Sequence, residues 1–291
     1  MSKIIVLGGG ESGVGAALLA KSKGFDVFLS DQGTLKEAFK KTLSDHNIRF
    51  EEGQHTLEEI LNANEVIISP GIPEKNEVVK KIKEKHIPLI SEIEFAVRYT
   101  SAKIIAITGS NGKTTTTLLT YHLLKEAGYL VGLAGNIGQS FAKQVLENNH
   151  EYYVLEISSF QLDRCISFSP DVAILLNITP DHLDRYEYKF ENYIASKFRI
   201  FQNADLTKTC IFWEDDEVIQ ANKKGIPSSH FSTISSKNNH SDAFISADKI
   251  TLKTGEIDLT TAPIQGPHNA INMSAAILAA QSVGISLDKI K

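Results

Sequence analysis

The stretch Ile104-Ile105-Ala106-Ile107-Thr108-Gly109-Ser110-Asn111-Gly112-Lys113-Thr114-Thr115 constrains this chain more than any other. A β-branched apolar run gives way to small and glycyl residues, and Lys-Thr-Thr then opens a segment with helical spacing. Such a strand–turn–helix aims backbone N–H groups of the turn and of the new helix at one spot. There the helix dipole, the lysine ammonium and a magnesium-ligating hydroxyl all favour polyphosphate. The general G-x-x-x-x-G-K-[ST] pattern would need glycine where Ile107 stands, so the loop is the narrower variant T-G-x-N-G-K-T-T. A glycine turn with a surface lysine is the alternative, and the strand–turn–helix context weighs against it.

A chain of 291 residues exceeds one ordinary core, so two domains are expected, 1–99 and 100–291. A net charge of −5 gives no reason to expect bulk nucleic-acid or anionic-membrane binding. Cys165 and Cys210 are the only cysteines, with no C-x-x-C pair, which suits a reducing cytoplasm rather than a disulfide framework. The apolar run Ile4–Leu7 is too short for a signal-peptide core. No stretch approaches the ~18 apolar residues of a membrane span, so no membrane insertion is expected.

Strand and helix patterns alternate through the first hundred residues. Strands are expected at Ile4–Leu7, Asp26–Ser30, Ile48–Phe50, Glu65–Ser69 and Pro88–Ile90. Helices are expected at Val14–Ser22, Leu35–Leu43, Leu57–Asn62, Glu77–Lys85 and Glu92–Arg98. This predicts a Rossmann-like α/β domain, a small and mostly parallel sheet with helices on both faces. Lys103–Ile107 restarts the pattern, with a helix to Ala127, strands at Tyr152–Ile157 and Val172–Asn177, and a helix at Phe190–Phe201. The runs Cys210–Trp213, His230–Ser232, Ala243–Ser246 and Lys249–Lys253 read as small strands or a hairpin at one edge, and Asn269–Val283 as a helix. The second domain is thus a P-loop-type α/β domain with a small β edge. Ligands of α/β sheets sit outside the carboxyl ends of the strands, where the noteworthy turns all fall.

Gly8-x-Gly10-x-x-Gly13 after a strand, with Asp31 about twenty residues further on, matches the dinucleotide fingerprint. Alone it would suggest NAD, but it reports a strand–helix turn that many ligands exploit. Glu156 ends an apolar strand, where an isolated carboxylate needs compensation. In P-loop-type proteins the acid at the end of a neighbouring strand commonly holds magnesium. An acid at a solvated sheet rim is the other reading. The segment Asn177–Tyr186 packs a His, two Asp and an Arg into one loop. His182 there could ligate a second metal or contact a phosphate, although a helix-capping loop is the plainer account. Lys197 reads by composition as a solvated helix lysine. Asn136, Asn269 and Asn272 alone say only turn or helix start.

Together these motifs resemble the Mur ligase family, ATP-dependent amide-forming enzymes of peptidoglycan precursor synthesis. Thr108–Thr115 is similar to their ATP loop. Leu155-Glu156-Ile157-Ser158-Ser159-Phe160-Gln161-Leu162, Leu176–Tyr186 and Gly266-Pro267-His268-Asn269-Ala270-Ile271-Asn272 resemble the branch that adds D-glutamate to UDP-N-acetylmuramoyl-L-alanine. The resemblance implies that the first domain binds UDP rather than NAD, with Ser12, Asp31, Gln32, Ser69, Pro70 and Gly71 near uracil, ribose and pyrophosphate. It implies that Asn136, Ser158 and His182 contact the remainder of that substrate. Gly109, Asn111, Gly112, Lys113, Thr114, Thr115 and Thr116 would hold ATP phosphates, and Asn269 and Asn272 would surround adenine. Two magnesium sites are implied, drawing on Thr114, Glu156, His182 and Lys197, the last as an N-carboxylated side chain that converts a cation into an anionic ligand. Lys113, Glu156, His182 and Lys197 would be the catalytic set.

The family carries a third domain supplying the D-glutamate contacts, and this chain ends at Lys291, where that domain should begin. The expectation is therefore a two-domain piece of a cytoplasmic, monomeric ligase that binds UDP-substrate, binds ATP weakly and makes little product. Two other readings stay open, a non-catalytic UDP-sugar-binding module and an NAD-dependent oxidoreductase.

Overall fold

Ile4, Ile5, Val6 and Leu7 are apolar without alternation, as a strand covered on both faces requires. In the computed structural model they run through the middle of a five-stranded sheet and are buried on both sides. The structure describes residues 2–226 and 230–291, which divide into two units. The first runs to Ser101 and takes in two later segments, Gly138–Asn149 and Phe160–Phe168.

Its strands are β1 (Lys3–Leu7), β2 (Asp26–Asp31), β3 (Arg49–Glu52), β4 (Glu65–Ile68) and β5 (Leu89–Ile90). They pair in parallel in the order β3-β2-β1-β4-β5. The order reverses between β1 and β4, the place where a doubly wound sheet opens a ligand crevice. Ile5, Leu7, Phe28, Val66 and Ile68 form a core with Val79 and Ile82 from the helix Glu77–Glu84. The helix Glu11–Ser22 is buried along most of its length by small residues such as Ala16, Ala17 and Ala20.

Two carboxylates on the short helix Glu92–Ala96 explain why later segments join this unit. Glu92 Oε1 accepts from Ser140 Oγ at 2.5 Å and from Ala142 N at 2.8 Å, capping the helix Phe141–Glu147. Glu94 gathers the N–H groups of Ile166, Ser167 and Phe168, each at 3.0 Å. The helix expected at Glu92–Arg98 is thus more than a patterned segment, because its acids are buried anchors.

The second unit holds β6 (Lys103–Thr108), β7 (Val131–Gly135), β8 (Tyr152–Glu156), β9 (Val172–Leu175), β10 (Thr209–Trp213), β11 (His230–Ser235), β12 (Ala243–Ile245), β13 (Lys249–Leu252) and β14 (Gly255–Asp258). The order is β14-β13-β12-β11-β10-β9-β6-β8-β7. From β7 to β12 every pairing is parallel; β13 and β14 close the edge antiparallel. The small β edge is therefore confined to β12–β14. Cys210–Trp213 and His230–Ser232, expected among the edge strands, instead continue the main parallel sheet as β10 and β11. Cys210, Ile211 and Phe212 are consecutive and buried, the signature of an inner strand. The strand β7 escaped the sequence pattern because Gly132, Ala134 and Gly135 dilute it. Helices Lys113–Glu126 and Pro267–Ser282 pack together on this sheet, with Leu124, Met273, Ile277 and Leu278 in its core.

Candidate functional site

Strand β6 ends at Thr108, and the helix Lys113–Glu126 begins after the four-residue turn 109–112. Gly112 makes that start possible. Its φ of +83° belongs to the left-handed region, and a Cβ there would lie 2.3 Å from Asn272 Oδ1. Asn272, on the helix Pro267–Ser282, therefore sits directly against the loop, and its Nδ2 donates to Asn269 Oδ1 at 3.3 Å.

Register brings the chemistry together. Ile107 of β6 and Gly135 of β7 both pair with Glu156 at the end of β8. Glu156 is 1% exposed. Its Oε2 accepts from Thr114 Oγ1 at 2.8 Å and its Oε1 from Asn136 Nδ2 at 2.7 Å. Asn136 N also donates to the Glu156 carbonyl at 2.8 Å. This close approach requires Gly135, since a Cβ there would meet Glu156 O at 2.2 Å. The buried carboxylate and the Thr114 hydroxyl are hard oxygen donors of the kind that suit Mg²⁺, while the Asn136 amide meets the carboxylate through N–H and orients it. Among the described residues no group of three His, Cys, Asp or Glu could hold a metal by side chains alone. A Mg²⁺ here would complete its shell with phosphate oxygens and water, as that ion commonly does.

Two lysines converge on the loop. Lys113 Nζ donates to Gly109 O and Ser110 O, both at 2.9 Å. Burial holds its ammonium below the ordinary lysine range, partly offset by the carboxylates of Glu156 and Asp181. Lys197 is 2% exposed, contrary to the solvated role that composition favours. Its Nζ donates to Gly109 O at 2.8 Å and to Thr108 Oγ1 at 3.3 Å, and lies 5.2 Å from the centroid of the Tyr193 ring. Tyr193 stands one helical turn before it on the helix Phe190–Phe198.

His182 lies on the loop after β9 in a left-handed conformation, φ +50°, with Nε2 3.4 Å from Asp181 Oδ2. It is half-exposed. Thr114 is exposed and Thr115 and Ser158 partly so, whereas Thr116 is fully buried beneath the loop. Sequence reasoning assigned no role to Asn177 or Tyr193, both of which touch the loop. The spacing Tyr193-x-x-x-Lys197 was the one available signal for the second.

In the first unit, Gly8–Gly10 links β1 to the helix Glu11–Ser22. A Cβ on Gly13 would lie 1.9 Å from Gly8 O, so helix and strand touch only because glycine is there. Asp31 closes the turn: Oδ2 accepts from Gly9 N at 2.5 Å and Oδ1 from Gly33 N at 2.7 Å. Each oxygen keeps a lone pair for a ligand hydroxyl. Gln32 Nε2 reaches Gly53 O at 3.4 Å, and Ser69 Oγ, at the end of β4, reaches Gly8 O at the same distance. Ser69-Pro70-Gly71 thus flanks the crevice opposite Asp31's strand.

Residues 107–280 match the Mur ligase middle domain and residues 3–78 the MurD N-terminal domain. The chain belongs to the Mur ligase family. This Mur ligase chain is 52% identical to the UDP-N-acetylmuramoylalanine--D-glutamate ligase of Cytophaga hutchinsonii, over 99% of its own length and 66% of the relative's. It is 49% identical to the enzyme of the same name from Bacteroides fragilis, over 100% and 67%. The chain thus spans about two thirds of the length of these relatives. Among solved structures, the UDP-N-acetylmuramate:L-alanyl-gamma-D-glutamyl-meso-diaminopimelate ligase of Neisseria meningitides shares the fold at TM-score 0.68 and 21% identity, over all of this chain and 96% of that one. The MurF ligase of Thermotoga maritima, in complex with ADP, does so at TM-score 0.59 and 16% identity, over 91% of this chain and 62% of that one.

Proposed function

We propose that this chain carries the UDP-substrate and ATP sites of a ligase that joins D-glutamate to UDP-N-acetylmuramoyl-L-alanine. The observation that carries the reading is the contact of Thr114 with the buried Glu156 at the end of the neighbouring strand, within the Thr108–Thr115 loop. The names of relatives near 50% identity support the choice of amino acid and of sugar nucleotide.

In this reading Gly8–Gly13, Asp31, Gln32 and Ser69–Gly71 take the UDP part of the substrate. Asn136, Ser158 and His182 take its acyl end. Backbone N–H groups of Gly112–Thr115 and the Lys113 ammonium hold ATP phosphates, while Asn269 and Asn272 flank the base. Thr114 and Glu156 would hold one magnesium, and His182 with Lys197, once its amine is N-carboxylated, the second; the ions would supply charge compensation for the transferring phosphoryl group. The L-alanyl carboxylate is a poor acylating agent because its oxygen leaves badly. Its attack on the γ-phosphorus forms a C(O)–O–P bond and releases ADP. The D-glutamate amine then adds to the acyl carbon, and inorganic phosphate departs as the amide forms. Lys113 opposes the charge that builds on the phosphoryl oxygens.

Calorimetry tests both halves. UDP-N-acetylmuramoyl-L-alanine should bind, and NADH should not. A magnesium complex of a non-hydrolysable ATP analogue should bind the wild type, and Lys113→Ala should weaken it by about 100-fold. Tight NADH binding without UDP-substrate binding would overturn the ligase reading in favour of an oxidoreductase.

A further inference from the structure

The middle of the Thr108–Thr115 loop does not offer its N–H groups to a ligand. Ser110 N donates to Asn177 O at 2.9 Å, and Asn111 N donates to Asn177 Oδ1 at 2.8 Å. Asn177 Nδ2 returns a bond to Asn111 O at 3.0 Å. The hydroxyl of Ser110 is equally committed. It donates to Thr179 O at 2.9 Å, accepts from Thr179 N at 2.9 Å and lies 3.1 Å from the Tyr193 hydroxyl. Its single proton is already given away, so Tyr193 is the donor in that pair.

The other ends of the same two peptide units face the lysines. The carbonyl of the 109–110 peptide accepts from both Lys113 Nζ and Lys197 Nζ, and that of the 110–111 peptide accepts from Lys113 Nζ. Each unit is therefore pinned N–H to Asn177 and C=O to an ammonium. A flipped peptide would turn an N–H donor toward a cation, which accepts nothing. We propose that Asn177 is a positioning residue of the nucleotide site: through its backbone carbonyl and its side chain it sets the orientation of the two peptides whose carbonyls hold the Lys113 ammonium in place. The phosphate donors are then the N–H groups from Gly112 onward. This inference rests on the nucleotide-site reading above.

The test is calorimetric binding of a magnesium complex of a non-hydrolysable ATP analogue, with thermal unfolding measured alongside. Asn177→Ala should raise Kd about tenfold, the effect of losing two modest hydrogen bonds. The pair is partly exposed, so the melting temperature should move little. Asn177→Asp, which keeps the acceptor but sets a carboxylate oxygen against Asn111 O, should also lose affinity. In a Lys113→Met background, Asn177→Ala should cost little further, since its effect runs through the lysine. Wild-type affinity in both Asn177 variants, or a fully additive loss with Lys113→Met, overturns the proposal while leaving the nucleotide site standing. No nucleotide binding by the wild type overturns both.

Discussion

At the scale of single residues, two glycines show how differently a fixed backbone can be used. Both Gly112 and Gly135 have positive φ, +83° and +103°. A Cβ on Gly112 meets the side-chain amide of Asn272, which can rotate away; a Cβ on Gly135 meets the Glu156 carbonyl, which is locked in the β7–β8 ladder. Gly135→Ala should therefore destabilise by about 2–4 kcal/mol and Gly112→Ala by about 1–2 kcal/mol, read from urea unfolding. Equal costs would show that the strand edge yields as readily as the amide. Glycines at 109 and 112 were legible as a loop, but nothing in Gly135-Asn136 announced that one would admit the backbone carbonyl of Glu156 and the other hold its carboxylate. Such a contact depends on which strands become neighbours, and local spacing does not encode that.

At the scale of elements, the helix Glu92–Ala96 illustrates a buried acid used as an anchor. Glu92 is fully buried, and burial raises its carboxyl to about 7, against the opposing bonds from Ser140 and Ala142. Among the described residues its Oε2 has no hydrogen-bond partner. The folded chain thus holds the proton more tightly than the unfolded one, whose carboxyl titrates near 4.5. This contribution to stability is complete below pH 4.5 and is lost as pH rises through about 7. Glu92→Gln stays neutral throughout. Relative to wild type it should gain up to ~3 kcal/mol between about pH 5 and 8 in denaturant unfolding. A pH-independent difference between the two proteins would show that Glu92 is ionised in the fold at all these pH values. The long, strongly patterned elements of the chain were legible, because period and capping chemistry are local. The short helix Phe141–Glu147 and the strand β7 were not: one depends on a remote carboxylate cap, and the other is poor in β-branched residues.

At the scale of the whole molecule, two units, each with its own sheet and core, carry the two candidate ligand sites. Hydrogen exchange should resolve them. UDP-N-acetylmuramoyl-L-alanine should protect amides at 8–13, 31–33 and 69–71, and a magnesium–nucleotide complex those at 112–116, since bound ligand suppresses local opening. Protection of 8–13 by NADH instead would assign that crevice to a dinucleotide. No helix among the described residues is long and apolar enough to cross a membrane, in keeping with the absence of a long apolar run in the sequence. By itself the sequence determined the α/β class, the parallel Rossmann-like start, the strand–turn–helix at Thr108–Thr115 and the family, because hydrophobic period, glycine turns and contiguous motifs are properties of neighbouring residues. Only the tertiary structure decided that Glu156 is shared by Thr114 and Asn136, that Lys197 is buried against Gly109, that β10 and β11 continue the main sheet, and that 138–149 and 160–168 fold with the first unit. Those outcomes follow from strand order and from buried polar groups finding partners far along the chain, and such partners exist only once the chain has folded.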